Sequence, residues 1–457
     1  MLPFDINAPK ATRQSVDREI KPIAGIGPAF KADPIGFLKR FSDAYGPIAE
    51  STLLGRRVIL TTDPAIIQGV LRTQAKHFTK GREYDALRFV LGEGLLTSEG
   101  SFHRHQRKLS QGAFHHRKIT ELVPVMQQTT VDWINRLPAI SGPFDVRSHM
   151  SDLALSILNA TLLKSNQTEL QQTIGNPLEY LLEDANERIG NLINLPRWVP
   201  TPHHLKVAKH RRTLDGVVDR IIAERKQSDT KQDDVLQALI DSQDEDSGER
   251  MSSEQLRFEV MTLFLAGHET TANALSWTLW LLTLNREVLS QLQQEIDTTI
   301  GQAPITADDL AQMPYLQAVF KEGLRMYPPA WAISRRAKQA VELPGLSLNK
   351  GDSLLISPLI SHYREDLWDS PYQFEPRRFM DKERSHDRGT YFPFGDGPRV
   401  CIGSHFATLE GTVALATILQ QFNISSEVSH IPPLPLITMR PGAEVLIKFT
   451  HRSDQKL

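Results

Sequence analysis

The segment YFPFGDGPRVCIGSHFATLEG, residues 391–411, gathers the residues best suited to do chemistry. Its cysteine, Cys401, is the only thiol in 457 residues. Phe394, Gly395, Gly397, Arg399 and Gly403 surround it in a glycine-rich bend that leads straight into a helical pattern. The spacing puts the cysteine at a helix N-terminus, where free backbone N–H groups and the helix dipole favour a thiolate, the form a metal requires. Glycines also let the backbone pass close to a flat ligand. The residue types alone leave a second reading open, because a free cysteine beside a tight turn is often just a small buried hydrophobe.

Three further groups stand out. In LQAVFKEGLRMYPPA, Glu322 and Arg325 lie three apart on one helix face that Pro328 and Pro329 terminate. An exposed pair of this kind contributes only a few tenths of a kcal/mol. In LFLAGHETTANAL, Glu269, Thr270 and Thr271 interrupt an apolar run directly after Ala266 and Gly267, and polar residues there need partners. The plain reading is a threonine hydroxyl bonded to the preceding turn. Finally, GSFHRHQRKLSQGAFHHRK is strongly basic, by default a solvated face. Its His105, His115 and His116 lack a carboxylate or cysteine at ligand spacing, so they do not read as a metal site.

These residues must be positioned by a mostly helical protein. From about 100 to 328, apolar residues recur three and four apart, as in ITELVPVMQQTTVDWINRL and TLDGVVDRIIAERKQ. The polar stretch 226–253 holds one short amphipathic segment and reads as a surface excursion. The longest helix begins near Ser253 and is almost unbrokenly apolar from Val260 to Leu284, which marks a core helix. Val58, Ile59 and Leu60 predict a strand in a small N-terminal sheet. Past residue 330 come short strands, a helical run at 402–421, a β-hairpin around Pro441 and Gly442, and a loose tail, HRSDQKL. The fold class is therefore mostly α with small β-sheets (α+β). One domain over 31–450 is expected, with an N-terminal extension at 1–30 and a flexible tail at 451–457.

The motifs together resemble the cytochrome P-450 superfamily, in particular its soluble bacterial haem-thiolate monooxygenases. The family pattern F-G-x-G-x-R-x-C-x-G is met at Phe394, Gly395, Gly397, Arg399, Cys401 and Gly403; E-x-x-R at Glu322 and Arg325; A-G-x-E-T-T from Ala266 to Thr271. The likeness runs from about residue 30 to 450. It implies a triangular α-rich lobe with a smaller β-rich lobe, and haem b held by Cys401 as the iron ligand. A thiolate ligand pushes electron density onto iron and favours O–O cleavage. By the same resemblance Arg399, His103, Arg107 and Arg335 bind haem propionates, with Arg336 able to exchange with Arg335. Phe394 packs beside the sulfur. Ala266 and Gly267 leave room for O2, while Thr270 and Glu269 deliver protons, Glu269 linking the path to solvent. Glu322, Arg325 and Arg378 form a structural ion triad, with Arg377 where the family often has glutamate. The substrate cavity draws on Leu87, Phe89, Leu96, Phe264, Leu265, Ala330, Trp331, Ile333, Thr438 and Met439, which implies a hydrophobic substrate of the fatty acid, terpenoid or carotenoid class.

Composition narrows the alternatives. Lys plus Arg number 52 against 54 Asp plus Glu, so no global field drives binding to nucleic acid or an anionic membrane. The N-terminus lacks the basic start and apolar run of a signal peptide, and LSWTLWLLTL is far short of the ~20 residues that span a bilayer. A cytoplasmic, unanchored monomer is expected. The resemblance implies O2 as co-substrate and electrons drawn from NAD(P)H through a separate ferredoxin or flavodoxin with its reductase. Arg104, Lys108, Arg117 and Lys118 suit such an acidic carrier. A haem-thiolate peroxygenase or isomerase, which typically loses the acid and threonine, and a non-enzymatic haem sensor are the rival readings.

Overall fold

The computed structural model describes residues 2–4, 10–21, 24–137, 142–164, 174–191, 194–232, 234–244, 248–381 and 389–452. The longer helices are Pro34–Tyr45, Tyr84–Leu91, Gly100–Gln111, Val123–Arg136, Val146–Leu158, Asn176–Gly190, Pro202–Gln227, Val235–Asp241, Ser253–Leu284, Arg286–Thr299, Pro314–Met326 and Ser404–Gln421. Strands are short: β1 Ile48–Leu53, β2 Arg56–Thr61, β3 Phe78–Lys80, β4 Phe144–Asp145, β5 Ile333–Ala337, β6 Val341–Leu343, β7 Leu346–Leu348, β8 Ser353–Ile356, β9 Phe422–Ser425, β10 Pro433–Pro435, β11 Met439–Pro441 and β12 Leu446–His451. The α+β expectation holds. Among the described residues no helix is long and apolar enough to cross a membrane.

The 32-residue helix Ser253–Leu284 is the axis of the fold. It starts from a capping box: Ser252 Oγ accepts from Gln255 N at 3.1 Å, and Gln255 Oε1 accepts from Ser252 N at 2.6 Å. Helices Val146–Leu158, Pro202–Gln227, Pro314–Met326 and Ser404–Gln421 pack around it, which is why its apolar residues run nearly all round. Trp277 stacks on Tyr327 with centroids 3.9 Å apart, and the Trp280 indole N–H donates to Val428 O at 2.8 Å. Both indoles are fully buried. This rigid helix sets the height and rotation of every residue it carries into the site.

A second, smaller core lies against a five-stranded sheet of order β1-β2-β8-β5-β3. Val58, Ile59 and Leu60 form its β2 as expected, and β2 pairs in parallel with β8, some 290 residues later in the chain (Val58 with Ser353). The sheet thus joins the chain's beginning to its last third. Strand β3 pairs antiparallel with β5, Lys80 opposite Arg335 and Thr79 opposite Arg336.

Two expectations fail near the C-terminus. The chain does not make a hairpin at Pro441 and Gly442: β11 pairs with β10, whereas β12 pairs with β9 and β4. Gly442 N donates to Pro432 O at 2.7 Å, so β11 is pinned to its earlier neighbour and the chain runs on to find new partners for β12. The tail is also not loose from its start, since His451 ends β12 and Arg452 pairs with Asp297 at 2.5 Å. Residues 453–457 lie outside those described.

Candidate functional site

A cavity of about 350 Å³ opens between the central helix, the cysteine loop and the edge of the five-stranded sheet. That volume lies in the usual range for small-molecule sites, about 300–1,000 Å³. It has three distinct walls.

The first is the cysteine loop. Phe394, Gly395, Arg399, Cys401 and Gly403 all line the cavity. Cys401 N donates to Phe394 O at 2.9 Å, and Gly395 N to Phe392 O at 3.0 Å, so the bend is internally hydrogen-bonded. Gly397 takes φ +69°, and a Cβ there would lie 2.0 Å from Leu71 O, so only glycine fits. The helix that follows begins at Ser404, with Gly403 as its cap, placing Cys401 just ahead of the helix end. The Gly403 amide at the helix end and Arg107 both lower the thiol's pKa, as expected, but in the haem-free chain burial raises it by more. Cys401 is nevertheless exposed to the open cavity, where a ligand can reach its sulfur.

The second wall is basic. Lys80, His103, Arg107, Arg335 and Arg399 all line the cavity. Side chains alternate between the faces of a strand, and Arg335 is the member of the pair that faces inward, directly across from Lys80. Arg336 is not among the lining residues, which settles the placement of the two arginines. Helix Gly100–Gln111 carries His103 and Arg107 on one face, and Arg107 donates to Val400 O at 2.8 Å, tying that helix to the cysteine loop. Arg399 donates to Ser98 O at 2.7 Å and pairs with Glu99 at 2.7 Å. Burial, then the charge of Arg399, pushes the Lys80 ammonium down to about 6. Burial and the surrounding cations push His103 down to about 3, so its ring is neutral.

The third wall is the central helix. Leu265, Ala266, Gly267, Thr270 and Thr271 line the cavity. The Thr270 hydroxyl donates to Ala266 O, the plain bond to the preceding turn. Gly267 has a packing reason to be small: a Cβ there would lie 2.4 Å from Leu158 Cδ1 of the helix alongside. Glu269 is not on the cavity wall and does not open to solvent. It is 9% exposed, accepts from Thr438 Oγ1, and accepts from Arg440 Nε at 2.5 Å. Its carboxylate is held in an ion pair with Arg440, whose side chain is partly exposed. Thr438 does line the cavity, and Asn273 Nδ2 donates to it at 3.2 Å.

Of the expected substrate residues, Leu87, Leu96, Leu265, Ala330, Ile333 and Thr438 line the cavity. Four do not. Phe89 lies under the Arg197 guanidinium at 3.6 Å. Phe264 faces a separate small void beside Leu158 and Leu162. The Trp331 N–H is bound to Leu436 O at 2.8 Å, and Met439 is fully buried with its amide on Pro329 O. In each case sequence adjacency to lining residues was no guide, because helix and strand periodicity turns neighbours away. Lys80, Leu239, Glu259 and Thr262 are lining residues that sequence reading missed. Lys80 had a usable signal, a lone lysine closing a strand pattern; Leu239 sits in the segment read as a surface excursion.

Away from the cavity, Glu322 and Arg325 are fully buried, joined at 2.7 and 2.9 Å. Arg378 Nε reaches Glu322 at 3.2 Å. The arginines' remaining N–H groups go to carbonyls of His362, Gln373, Asp369 and Ser370. Arg377 instead is exposed and bonds Gln291 at 3.0 Å, so it does not enter the network. The network fixes the segment that leads into the cysteine loop to the helix Pro314–Met326.

The profile of the family described as Cytochrome P-450 matches residues 19–447 of this chain. Cyclooctatin synthase of Streptomyces melanosporofaciens is 33% identical, covering 93% of this chain and 91% of its own. Pentalenene oxygenase of Streptomyces avermitilis is 30% identical, with 94% and 96% covered. Carotene epsilon-monooxygenase, chloroplastic, of Arabidopsis thaliana is 27% identical, with 89% and 79% covered.

Proposed function

From the premise that the chain belongs to the cytochrome P-450 family and is a monooxygenase of that family, we propose that it oxidises an apolar terpenoid, using electrons from a separate protein. The family implies haem and O2. The residues of this chain fit a haem: a soft sulfur ligand in the wall of an apolar cavity, and five basic side chains where two carboxylates need partners. Lys80 and Arg335 face each other across an antiparallel pair, an arrangement that like charges disfavour unless an anion lies between them.

Cys401 would hold the iron, and Arg107, Arg335 and Arg399 the carboxylates by charge, with Lys80 drawn back to its ammonium form by the anion beside it. His103, neutral at physiological pH, would donate an N–H. Bound there, the group supplies reductive activation of O2. With its proton committed to Ala266 O, Thr270 keeps oxygen lone pairs for a water in the cavity, so it can orient a proton donor. Thr438 touches both Glu269 and the cavity, so protons moving between them pass its hydroxyl.

The lining supports an apolar substrate. Leu87, Leu95, Leu96, Leu239, Leu263 and Ile437 contribute most of the wall away from the cysteine. Relatives that act on terpenoids and a carotene favour the terpenoid class over fatty acids. Electrons would arrive from a ferredoxin or flavodoxin with its reductase, ultimately from NAD(P)H. Arg104, Arg117 and Lys118 are exposed, Arg117 pairing with Glu121 at 3.3 Å; Lys108 is occupied by Asp244 at 3.0 Å.

The observation that carries this reading is Cys401 in an apolar cavity flanked by five basic groups. The test is reconstitution of the purified haem protein with a surrogate ferredoxin, reductase and NADPH against a terpenoid panel under isotopically labelled O2. A product carrying one labelled oxygen atom is expected. A reduced carbon monoxide complex without thiolate character, or no labelled product across terpenoids, would overturn it.

A further inference from the structure

The apolar end of the cavity contains one carboxyl group that the mechanism does not use. Glu259 lies on the central helix, is 3% exposed, and lines the cavity. Its Oε2 accepts from Leu95 N at 3.1 Å, while Oε1 has no hydrogen-bond partner among the described residues. One turn further on, Thr262 is 5% exposed, lines the same cavity, and its hydroxyl also has no partner. Lys80 acts on Glu259 only through its field, for its ammonium donates to Leu96 O and Ser98 O. Two orphaned polar atoms three residues apart share one helix face. Each unpaired buried group of this kind costs about 1–3 kcal/mol.

We propose that Glu259 and Thr262 form a subsite for a substrate hydroxyl, so that the preferred substrate is a terpenoid alcohol and not a hydrocarbon. The inference rests on the terpenoid reading above and narrows it. Burial holds the Glu259 carboxyl near neutrality, about 7, so both protonation states are populated. A hydroxyl suits both, since it donates to a carboxylate and accepts from a carboxylic acid; a carbonyl, which cannot donate, suits only the acid. Glu259 precedes Ala266 by seven residues, about 10 Å along a helix. The subsite therefore lies about two helical turns from Ala266. A reaction that leaves a hydroxyl on the terpenoid skeleton must supply this substrate.

The test is a spin-state titration of the haem-loaded protein with farnesol and with farnesene. The parent chain should bind the alcohol roughly tenfold more tightly or better, against the intrinsic preference of an apolar cavity for the hydrocarbon. Thr262→Val, which leaves the Leu95 anchor untouched, should narrow that ratio several-fold. Glu259→Leu should reverse it while farnesene affinity is kept. No preference in the parent chain overturns the proposal, as does equal weakening of both ligands by Glu259→Leu, which would assign the carboxyl to holding the loop alone. A chain that takes up haem but shows no such ratio refutes this inference only; one that takes up no haem refutes the reading beneath it.

Discussion

Lys80 and Arg335 stand directly opposite each other in the antiparallel pairing of β3 with β5, two cations on the cavity face of one sheet. In the haem-free chain burial first, then the charge of Arg399 and, less, that of Arg335 lower the Lys80 ammonium from 10.5 to about 6. The unfolded chain then binds more protons than the folded one between those values, so stability should rise with pH across that window. Lys80→Met should flatten this rise in denaturant titrations of the haem-free protein. It should also weaken haem retention by about 1.5–3 kcal/mol, the contribution of a charged hydrogen bond, seen as faster transfer of haem to an acceptor protein. Unchanged retention would remove Lys80 from the carboxylate-binding set.

Glu410 gives the opposite slope. It is fully buried on the helix Ser404–Gln421, with only the Thr271 hydroxyl approaching it among the described residues, and burial raises its carboxyl from 4.5 to about 8. Its contribution is fully present below pH 4.5 and is lost as pH rises toward 8, where the folded chain must ionise it. Glu410→Gln should abolish that loss, so the variant's urea midpoint gains on the parent's as pH increases. Parallel curves would contradict this.

The Glu322 network predicts a large effect beside a negligible one. Glu322→Gln leaves Arg325 and Arg378 buried without a counter-charge, a defect costing about 3–5 kcal/mol. Arg377→Ala, one residue from Arg378 but exposed, should stay within about 0.5 kcal/mol. Denaturation midpoints and the yield of haem-loaded protein report both.

Gly267→Ala places a methyl 2.4 Å from Leu158 Cδ1 and should destabilise by about 1–3 kcal/mol. Pairing it with Leu158→Ala should recover part of that loss. A double-mutant cycle with no coupling would show that the glycine answers to something other than this helix contact.

Charge reversal at Arg104 and Lys118 should slow reduction by an acidic ferredoxin several-fold at low ionic strength, with the difference fading as salt screens it. Reversal at Lys108 first loses the Asp244 ion pair and should lower stability as well. Stopped-flow reduction rates across a salt series separate the two.

What the sequence made legible was whatever is encoded locally. The bend around Cys401, the central helix and the Glu322–Arg325 pair depend on residues within a few turns of one another, and their positions were readable from spacing. Arg335 against Arg336 was not, because the face each presents depends on the register of β5 with β3 and β8. The ion pair of Glu269 was not legible for a similar reason: its partner Arg440 lies 171 residues away on β11. Phe89 and Trp331 looked like cavity residues by neighbourhood, yet Arg197 and Leu436 draw them elsewhere. Long-range partners, not propensities, decide such cases.

Strand β3 closes the five-stranded sheet with only three residues, and among the described residues no further strand pairs with its outer side. An open edge of this kind is a template on which a second chain can add, and short length with an inward-pointing charge is how proteins discourage that addition. At three residues, β3 offers a second chain too few free backbone groups to pair with, so its shortness discourages edge-to-edge association in the interval before the cofactor arrives.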